Sequence, residues 1–257
     1  MNFNKTLIRL LCGWVSLATL SFSTQADTVS VAVAANFTKP MKEIAEQFYE
    51  ATGHRARLSF GSSGVLYAQV RNGAPFDLFL SADQRKPATL EQQGLAVAGS
   101  RFTYAVGRLA LWSSNPDLIK GNADILHADQ FNKLAVANPA LAPYGSAARQ
   151  VLAQLKLTQQ TKPKLVMGQN IAQTYQFVAS GNAQVGLVAL SQVAKNNVIT
   201  SGSGWIIPAS FHTSIHQDAV LLDRAKNNAA AKALLKFLGS DKTQATIRRF
   251  GYNTTSH

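Results

Sequence analysis

Cysteine is nearly absent. Cys12 is the single one in 257 residues, so no intrachain disulfide can form and no cluster of thiolates can hold a metal. Acidic residues are also scarce, 13 against 25 Lys and Arg, giving a formal charge of +12. That balance attracts anions, small or polymeric, without choosing between them. The basic residues are dispersed, with no run that reads as a nucleic-acid tail. Four catalytic signatures are missing: the glycine-rich phosphate loop ending in Lys-Ser or Lys-Thr, the GxGxxG dinucleotide fingerprint, the HExxH metal helix and the GxSxG nucleophile elbow. Their absence disfavours several enzyme classes. At 46% hydrophobic and 15% charged residues, the composition is that of an ordinary globular chain, and disorder, coiled coil, collagen and a multi-span membrane protein fit poorly.

The first 26 residues stand apart. Lys5 and Arg9 precede a mostly apolar stretch from Leu10 to Phe22 that contains no acidic residue, and Thr24-Gln25-Ala26 then offers small side chains at the two positions a signal peptidase reads. The pattern predicts a secretory signal cleaved after Ala26. The stretch is too short, and too broken by Ser, Thr and Gly, for a good membrane span. Leu10-Leu11-Cys12 faintly resembles a lipidation box but has no apolar segment before it. Cleavage removes Cys12 and leaves a mature chain that is still strongly basic. Export without disulfides points to a bacterial periplasm.

Along the mature chain, Thr28 to Ala34 reads as a strand. Asn36-Phe37-Thr38 with Pro40 reads as a helix start, because Pro is tolerated in the first turn. Met41, Ile44, Ala45 and Phe48 keep helical spacing as far as Thr52-Gly53. A strand at 55–60, a helix opened by Gly61-Ser62-Ser63-Gly64 and stopped at Asn72-Gly73, and a short strand at 76–80 follow. Alternating strands and helices indicate mostly parallel sheets covered by helices. The run Tyr104 to Trp112 reads as one long apolar strand able to leave the first sheet. Strands at 134–137 and 185–189, helices beginning near Pro143 and Ile171, an Ala-rich helix at 227–238 and an amphipathic segment at 242–250 complete the pattern. No tandem repeat or Pro/Ser-rich linker separates them. The organisation expected is two α/β lobes joined by strand crossovers, with residues 27–106 and 206–257 forming lobe 1 and 107–205 lobe 2.

Four strand-to-helix junctions place small or polar residues at a helix start: Ala35-Asn36, Ser62-Ser63, Tyr144-Gly145 and Asn170-Ile171. Helix N-termini leave backbone N–H groups unpaired and carry partial positive charge, so several of them converging make an anion site without any Lys or Arg. Any one junction taken alone reads as an ordinary cap, since Ser and Asn are common N-caps. Gly-Ser-Ser-Gly stands out, because glycines on both sides permit close backbone approach. His212 and His216, spaced by four with Asp218 nearby, would suit a metal on a helix, but Ser210 to Ser214 reads as loop. Asp77 and Asp83 read as caps or lobe-stabilising partners, since a carboxylate repels an oxyanion. Arg248-Arg249 reads as the solvated face of the last helix rather than a nucleic-acid contact.

These junctions resemble a known family. Val31-Ala32-Val33-Ala34-Ala35-Asn36-Phe37-Thr38, Ser59-Phe60-Gly61-Ser62-Ser63-Gly64 and the long segment from Asn72-Gly73-Ala74-Pro75-Phe76-Asp77 through Leu78-Phe79-Leu80-Ser81-Ala82-Asp83 are similar to the periplasmic molybdate-binding proteins of ABC uptake systems. The likeness continues through Leu134 to Pro139 and Ala183 to Val188, covering nearly all of the mature chain. It implies a two-lobed, type II periplasmic binding protein fold, each lobe a mixed and mostly parallel sheet flanked by helices, closing around molybdate or tungstate. It also implies a transient partner, the inner-membrane ABC permease. A monomer without a cofactor, catalytic activity or nucleic acid is expected. The donors implied by the resemblance are Asn36, through side chain and backbone, Ser63, and the backbone N–H groups of Ala82 and Ile171. Tyr144 falls where one branch of the family presents a tyrosine hydroxyl. Another branch has a tyrosine after a Gly-hydrophobic-Val stretch, where this chain has Ala189 after Gly186-Leu187-Val188.

The nearest alternative is a receptor for sulfate, phosphate or chromate. Rigid donors placed for molybdate's longer bonds would leave sulfate underpacked, and a carboxylate facing the ligand would instead favour protonated phosphate. A periplasmic hydrolase would need a base beside Ser62 or Ser63, and the sequence identifies no His partner. A DNA-binding regulator is disfavoured by the signal peptide and by the absence of a helix-turn-helix domain.

Overall fold

The computed structural model describes residues 27–128 and 130–254, so the signal-peptide expectation lies outside the described residues. In chain order the strands are β1 (Thr28–Ala34), β2 (Arg55–Gly61), β3 (Leu78–Leu80), β4 (Phe102–Gly107), β5 (Leu109–Ser113), β6 (Leu134–Ala137), β7 (Leu165–Gly168), β8 (Val185–Ala189), β9 (Ala194–Lys195), β10 (Val198–Ile199), β11 (Ser203–Ile206) and β12 (Ile215–Leu221). The helices are α1 (Thr38–Thr52), α2 (Ser63–Arg71), α3 (Arg85–Gln92), α4 (Asp124–His127), α5 (Pro143–Gln154), α6 (Thr158–Thr161), α7 (Ile171–Ala179), α8 (Leu190–Val193), α9 (Ala229–Leu238) and α10 (Asp241–Arg249).

Ten of these strands form two five-stranded sheets built on one plan, in the orders β2-β1-β3-β12-β4 and β11-β5-β8-β6-β7. In the first, β1 runs parallel to β2 and β3, while β12 is antiparallel to β3 and β4. In the second, β6 runs parallel to β7 and β8, while β5 is antiparallel to β8 and β11. The short pair β9 and β10 forms a separate hairpin. The chain passes from the first sheet to the second at Arg108, between β4 and β5, and returns between β11 and β12. The expected single strand from Tyr104 to Trp112 is therefore two strands in two sheets. Hydropathy hides the break, because all five β5 residues and three of the six in β4 are buried.

Each lobe has its own core. In the first, Phe37, Met41, Ile44 and Phe48 line one face of α1 and its entry turn at spacings of four, three and four, and all are 0% exposed. Each contributes about 1.5–3 kcal/mol of burial. Gly53 ends α1 at φ 73°, in the left-handed region, and its N–H caps Tyr49 O at 2.8 Å. The second lobe's core, which includes Leu109, Leu134, Val151 and Leu187, continues across the cleft to Ala35 and Ala82. Asp218, on β12, is 0% exposed and pairs with Arg101 at 2.5 Å and with Thr103 Oγ1 at 2.6 Å.

Candidate functional site

The carboxyl ends of the parallel strands from both sheets meet in the cleft, where open α/β sheets bind ligands. From the first sheet, β1 delivers Ala35 and Asn36, β2 delivers Ser62 and Ser63, and β3 leads to Ala82. From the second, the loop after β6 delivers Ala142, Pro143 and Tyr144, and β7 leads to Asn170 and Ile171. Together with Gly61 these residues line a small, partly open void of about 10 Å³, room for roughly one water-sized sphere, and none of them is charged. That is well below the roughly 300 Å³ at which pockets for organic ligands begin. All five residues expected at the site, Asn36, Ser63, Ala82, Tyr144 and Ile171, line it and are 1–3% exposed.

The local sequence explains why donors point inward. Ser63, Tyr144 and Ile171 occupy the first turn of α2, α5 and α7, and Asn36 lies in the 3-10 turn before α1. The backbone N–H groups of these four have no acceptor among the described residues, as helix starts require. The neighbouring turns are satisfied by the chain itself: Ser62 Oγ accepts from Val65 N–H at 3.4 Å, and Asn170 Oδ1 accepts from Gln173 N–H at 3.0 Å. Ser63 Oγ accepts the Ala82 N–H at 2.9 Å, so the Ala82 donor reaches the void through the serine. The Ser63 hydroxyl proton stays free for a guest. Gly64, one residue on, donates to Leu141 O at 2.9 Å across the cleft. A Cβ at Gly64 would stand 2.9 Å from that carbonyl, so the approach of the lobes requires glycine.

Behind the void lies a buried polar network that the sequence reading missed. Asn36 Nδ2 donates to Gln217 Oε1 at 2.7 Å and to the Tyr252 hydroxyl at 3.0 Å, which occupies both its hydrogens. The side chain expected to face the ligand is thus committed to the protein, and the Asn36 backbone N–H remains. Gln217 Nε2 donates to Tyr144 Oη at 3.2 Å, and the Tyr104 hydroxyl reaches Gln217 Oε1 at 3.0 Å. Ser191, just after β8, donates to Asn36 O at 3.0 Å. Gln217 is 0% exposed, and the sequence signal for it was a polar pair, Gln217-Asp218, inside the apolar run from Ile215 to Leu221. Burial pushes the Tyr104 and Tyr144 hydroxyls well above the ordinary phenol range and Tyr252 up to about 12. All three remain neutral donors at physiological pH.

The other charged candidates lie elsewhere. Asp77 Oδ2 accepts Ser30 N–H at 2.7 Å and Asp77 pairs with Arg224 at 3.6 Å, while Asp83 binds Lys86. His216 is on β12 and His212 in the loop before it, and no group of three or more metal-ligating side chains exists among the described residues. Arg249, at the end of α10, pairs with Glu43 of α1. No described helix is long and apolar enough to cross a membrane.

A two-lobed α/β fold with a small, neutral, donor-lined void between its sheets defines a solute receptor, and comparison with known proteins agrees. The model of the bacterial extracellular solute-binding proteins matches residues 29–253. The molybdate-binding protein ModA of Azotobacter vinelandii is 53% identical over 233 residues, covering 91% of this chain and 92% of that one. ModA of Rhodobacter capsulatus is 46% identical over 235 residues, with 91% and 92% covered. The solved periplasmic molybdate-binding protein of Azotobacter vinelandii superposes with a TM-score of 0.85 at 38% identity, over 89% of this chain and all of that one. The chain belongs to the bacterial extracellular solute-binding protein family, in its ModA-like branch.

Proposed function

We propose that this chain is a periplasmic receptor that captures molybdate, and tungstate with it, and hands it to an ABC permease in the inner membrane. The observation that carries this reading is the small void at the carboxyl ends of the parallel strands, lined from both lobes and supplied with N–H and O–H donors but no charge. Such a set stabilises a fully ionised, acceptor-only guest. The absence of a lining carboxylate disfavours protonated phosphate. Relatives named for molybdate supply the choice among dianions. Asn36, Ser63, Tyr144 and Ile171 contribute donors directly, and Ala82 holds Ser63 in place. An anion bonded to both lobes favours the closed arrangement, which the permease then recognises. In this reading residues 1–26 are a cleaved signal, the chain divides into its two lobes near residues 107 and 206, and the mature protein acts as a monomer without catalysis or nucleic acid.

The test is calorimetric titration of the chain from residue 27 onward, dialysed into anion-free buffer, with molybdate and then with sulfate as competitor. One-to-one molybdate binding that excess sulfate does not displace is expected. Absence of molybdate heat together with an unchanged melting temperature refutes the reading.

A further inference from the structure

We infer that the cleft contiguous with the void, between the start of α3 and α5, is the way in for the oxyanion, and that Arg85 steers the anion into it. The inference rests on the oxyanion reading above and deepens it.

The void is lined by neutral groups alone. Hydrogen-bond donors act on a guest already in contact with them, so attraction from farther off has to come from charge. Beside the void lies a cleft of about 380 Å³, and the two share Ala82, Ala142 and Pro143 as lining residues. One wall comes from residues 82–86, between β3 and the first turn of α3. The other comes from residues 139–150, the loop after β6 and most of α5, and Thr213 to His216, at the entry to β12, complete the lining.

Two observations make this cleft the entrance. Next to other lining residues of the void the lobes are bonded to each other: Gly64 N–H to Leu141 O at 2.9 Å, the Ser191 hydroxyl to Asn36 O at 3.0 Å, and Lys39 Nζ to Gln192 O at 2.6 Å, where Gln192 Nε2 also holds Ile171 O. Across the cleft, no hydrogen bond or ion pair joins residues 82–86 to residues 139–150 among the described residues. The second observation is charge. Asp83 and Lys86 both line the cleft and offset each other as an ion pair. Arg85 lines it too, is exposed, and makes no side-chain hydrogen bond or ion pair among the described residues. Its guanidinium is always charged. With His216 neutral, the net positive charge of the cleft is therefore that of Arg85, three positions along the chain from Ala82. A positive charge in a cleft with low-dielectric walls focuses the field at the mouth and raises the rate at which anions are captured. A dianion feels twice the pull of a monoanion.

The test uses the chain from residue 27 onward and radiolabelled molybdate, with association rates read by rapid filtration at one fixed pH. Arg85→Gln removes an exposed side chain that holds nothing else in place. At an ionic strength of about 0.02 M it is expected to lower the association rate constant about threefold, and at about 0.5 M the difference is expected to vanish. Lys236→Gln removes an exposed lysine of α9 that does not line the cleft, and its rate is expected to match the parent's. No fall in Arg85→Gln, or an equal fall in both variants, overturns the steering role. The entrance is tested separately. The chain from residue 27 onward has no cysteine, so Ala140→Cys sets a single thiol at an exposed position on the α5 side of the cleft. Capping that thiol with a trimethylammonium-ethyl or a sulfonato-ethyl group changes the sign of the charge at similar size. The cationic cap is expected to give association several-fold faster than the anionic one at low salt, and equal rates overturn the entrance. No molybdate binding by the unsubstituted chain refutes the oxyanion reading itself, a result distinct from binding whose rate ignores both changes.

Discussion

Ser63→Ala separates the structural from the ligand-binding work of one hydroxyl. Ser63 Oγ is buried and accepts the Ala82 N–H at 2.9 Å, and Ser63 lines the void, where in the proposed reading its own proton goes to the guest. In the free protein the substitution strands the Ala82 N–H, which is 2% exposed. An unpaired buried donor costs about 1–3 kcal/mol, and in a domain of this size each kcal/mol lowers Tm by about 2–4 °C. In the bound protein a hydrogen bond to a charged acceptor is lost, worth about 1.5–3 kcal/mol, or roughly 10- to 150-fold in Kd. The freed N–H does not replace it, because it is aimed at the position the oxygen has vacated. Differential scanning calorimetry without anion reads the first effect and isothermal titration with molybdate the second. A variant with unchanged Tm and affinity within twofold of the parent refutes the reasoning on both counts.

Tyr144→Phe is expected to weaken molybdate binding by about 1–2 kcal/mol and to narrow the molybdate-to-sulfate preference in competition titrations. Unchanged preference removes the hydroxyl from the site. Arg101→Ala leaves the fully buried Asp218 carboxylate without its cation and is expected to cost about 3 kcal/mol in urea unfolding, with molybdate affinity retained. The pH dependence follows from the raised phenols. Tyr104, Tyr144 and Tyr252 stay protonated in the folded protein after the unfolded tyrosines have begun to ionise. Their contribution to stability is full below about pH 10 and falls above it, by about 1.4 kcal/mol per pH unit for each. Molybdate affinity, resting on neutral donors, is expected to stay flat from about pH 6 to about pH 9, and a titration in that window reveals any charged group acting at the site.

Local chemistry made the first lobe legible. The change from alternation in Val31 and Val33 to helical spacing in Met41, Ile44 and Phe48, with stops at Gly53 and Gly73, marks β1, α1 and α2 closely, and residues lining the void fall at those junctions. The break at Arg108 left no trace, because a strand buried in one sheet followed by a strand buried in another reads as one apolar run. β12 was also missed. Its polar residues, His216, Gln217 and Asp218, look like loop until Arg101, Thr103, Tyr104 and Tyr144 stand beside them. The sequence placed Asn36 and Tyr144 at the site but not what their polar atoms do there. Asn36 meets Gln217 across 181 positions of chain, a pairing no local pattern encodes.

In the proposed reading the donor set accounts for a preference for fully ionised guests, but not for the choice among dianions. A protonated phosphate would bring an O–H into a void where the unpaired groups are donors, at the cost of an unmade bond. Sulfate and molybdate are both fully ionised at neutral pH, so the separation must come from the distance between donors on the two lobes. Protein contacts set that distance: Gly64 to Leu141 at 2.9 Å, Ser191 to Asn36 at 3.0 Å, Lys39 Nζ to Gln192 O at 2.6 Å. A smaller anion cannot draw the lobes closer without compressing these contacts, nor sit midway without lengthening its own bonds. Loosening one contact should therefore cost discrimination before it costs affinity. Ser191→Ala removes a donor to Asn36 O without touching the void. It is expected to lower the molybdate-to-sulfate ratio by several-fold more than it lowers molybdate affinity, read by competition calorimetry. A parallel loss of both affinities, with the ratio intact, means that the spacing is held within each lobe rather than between them.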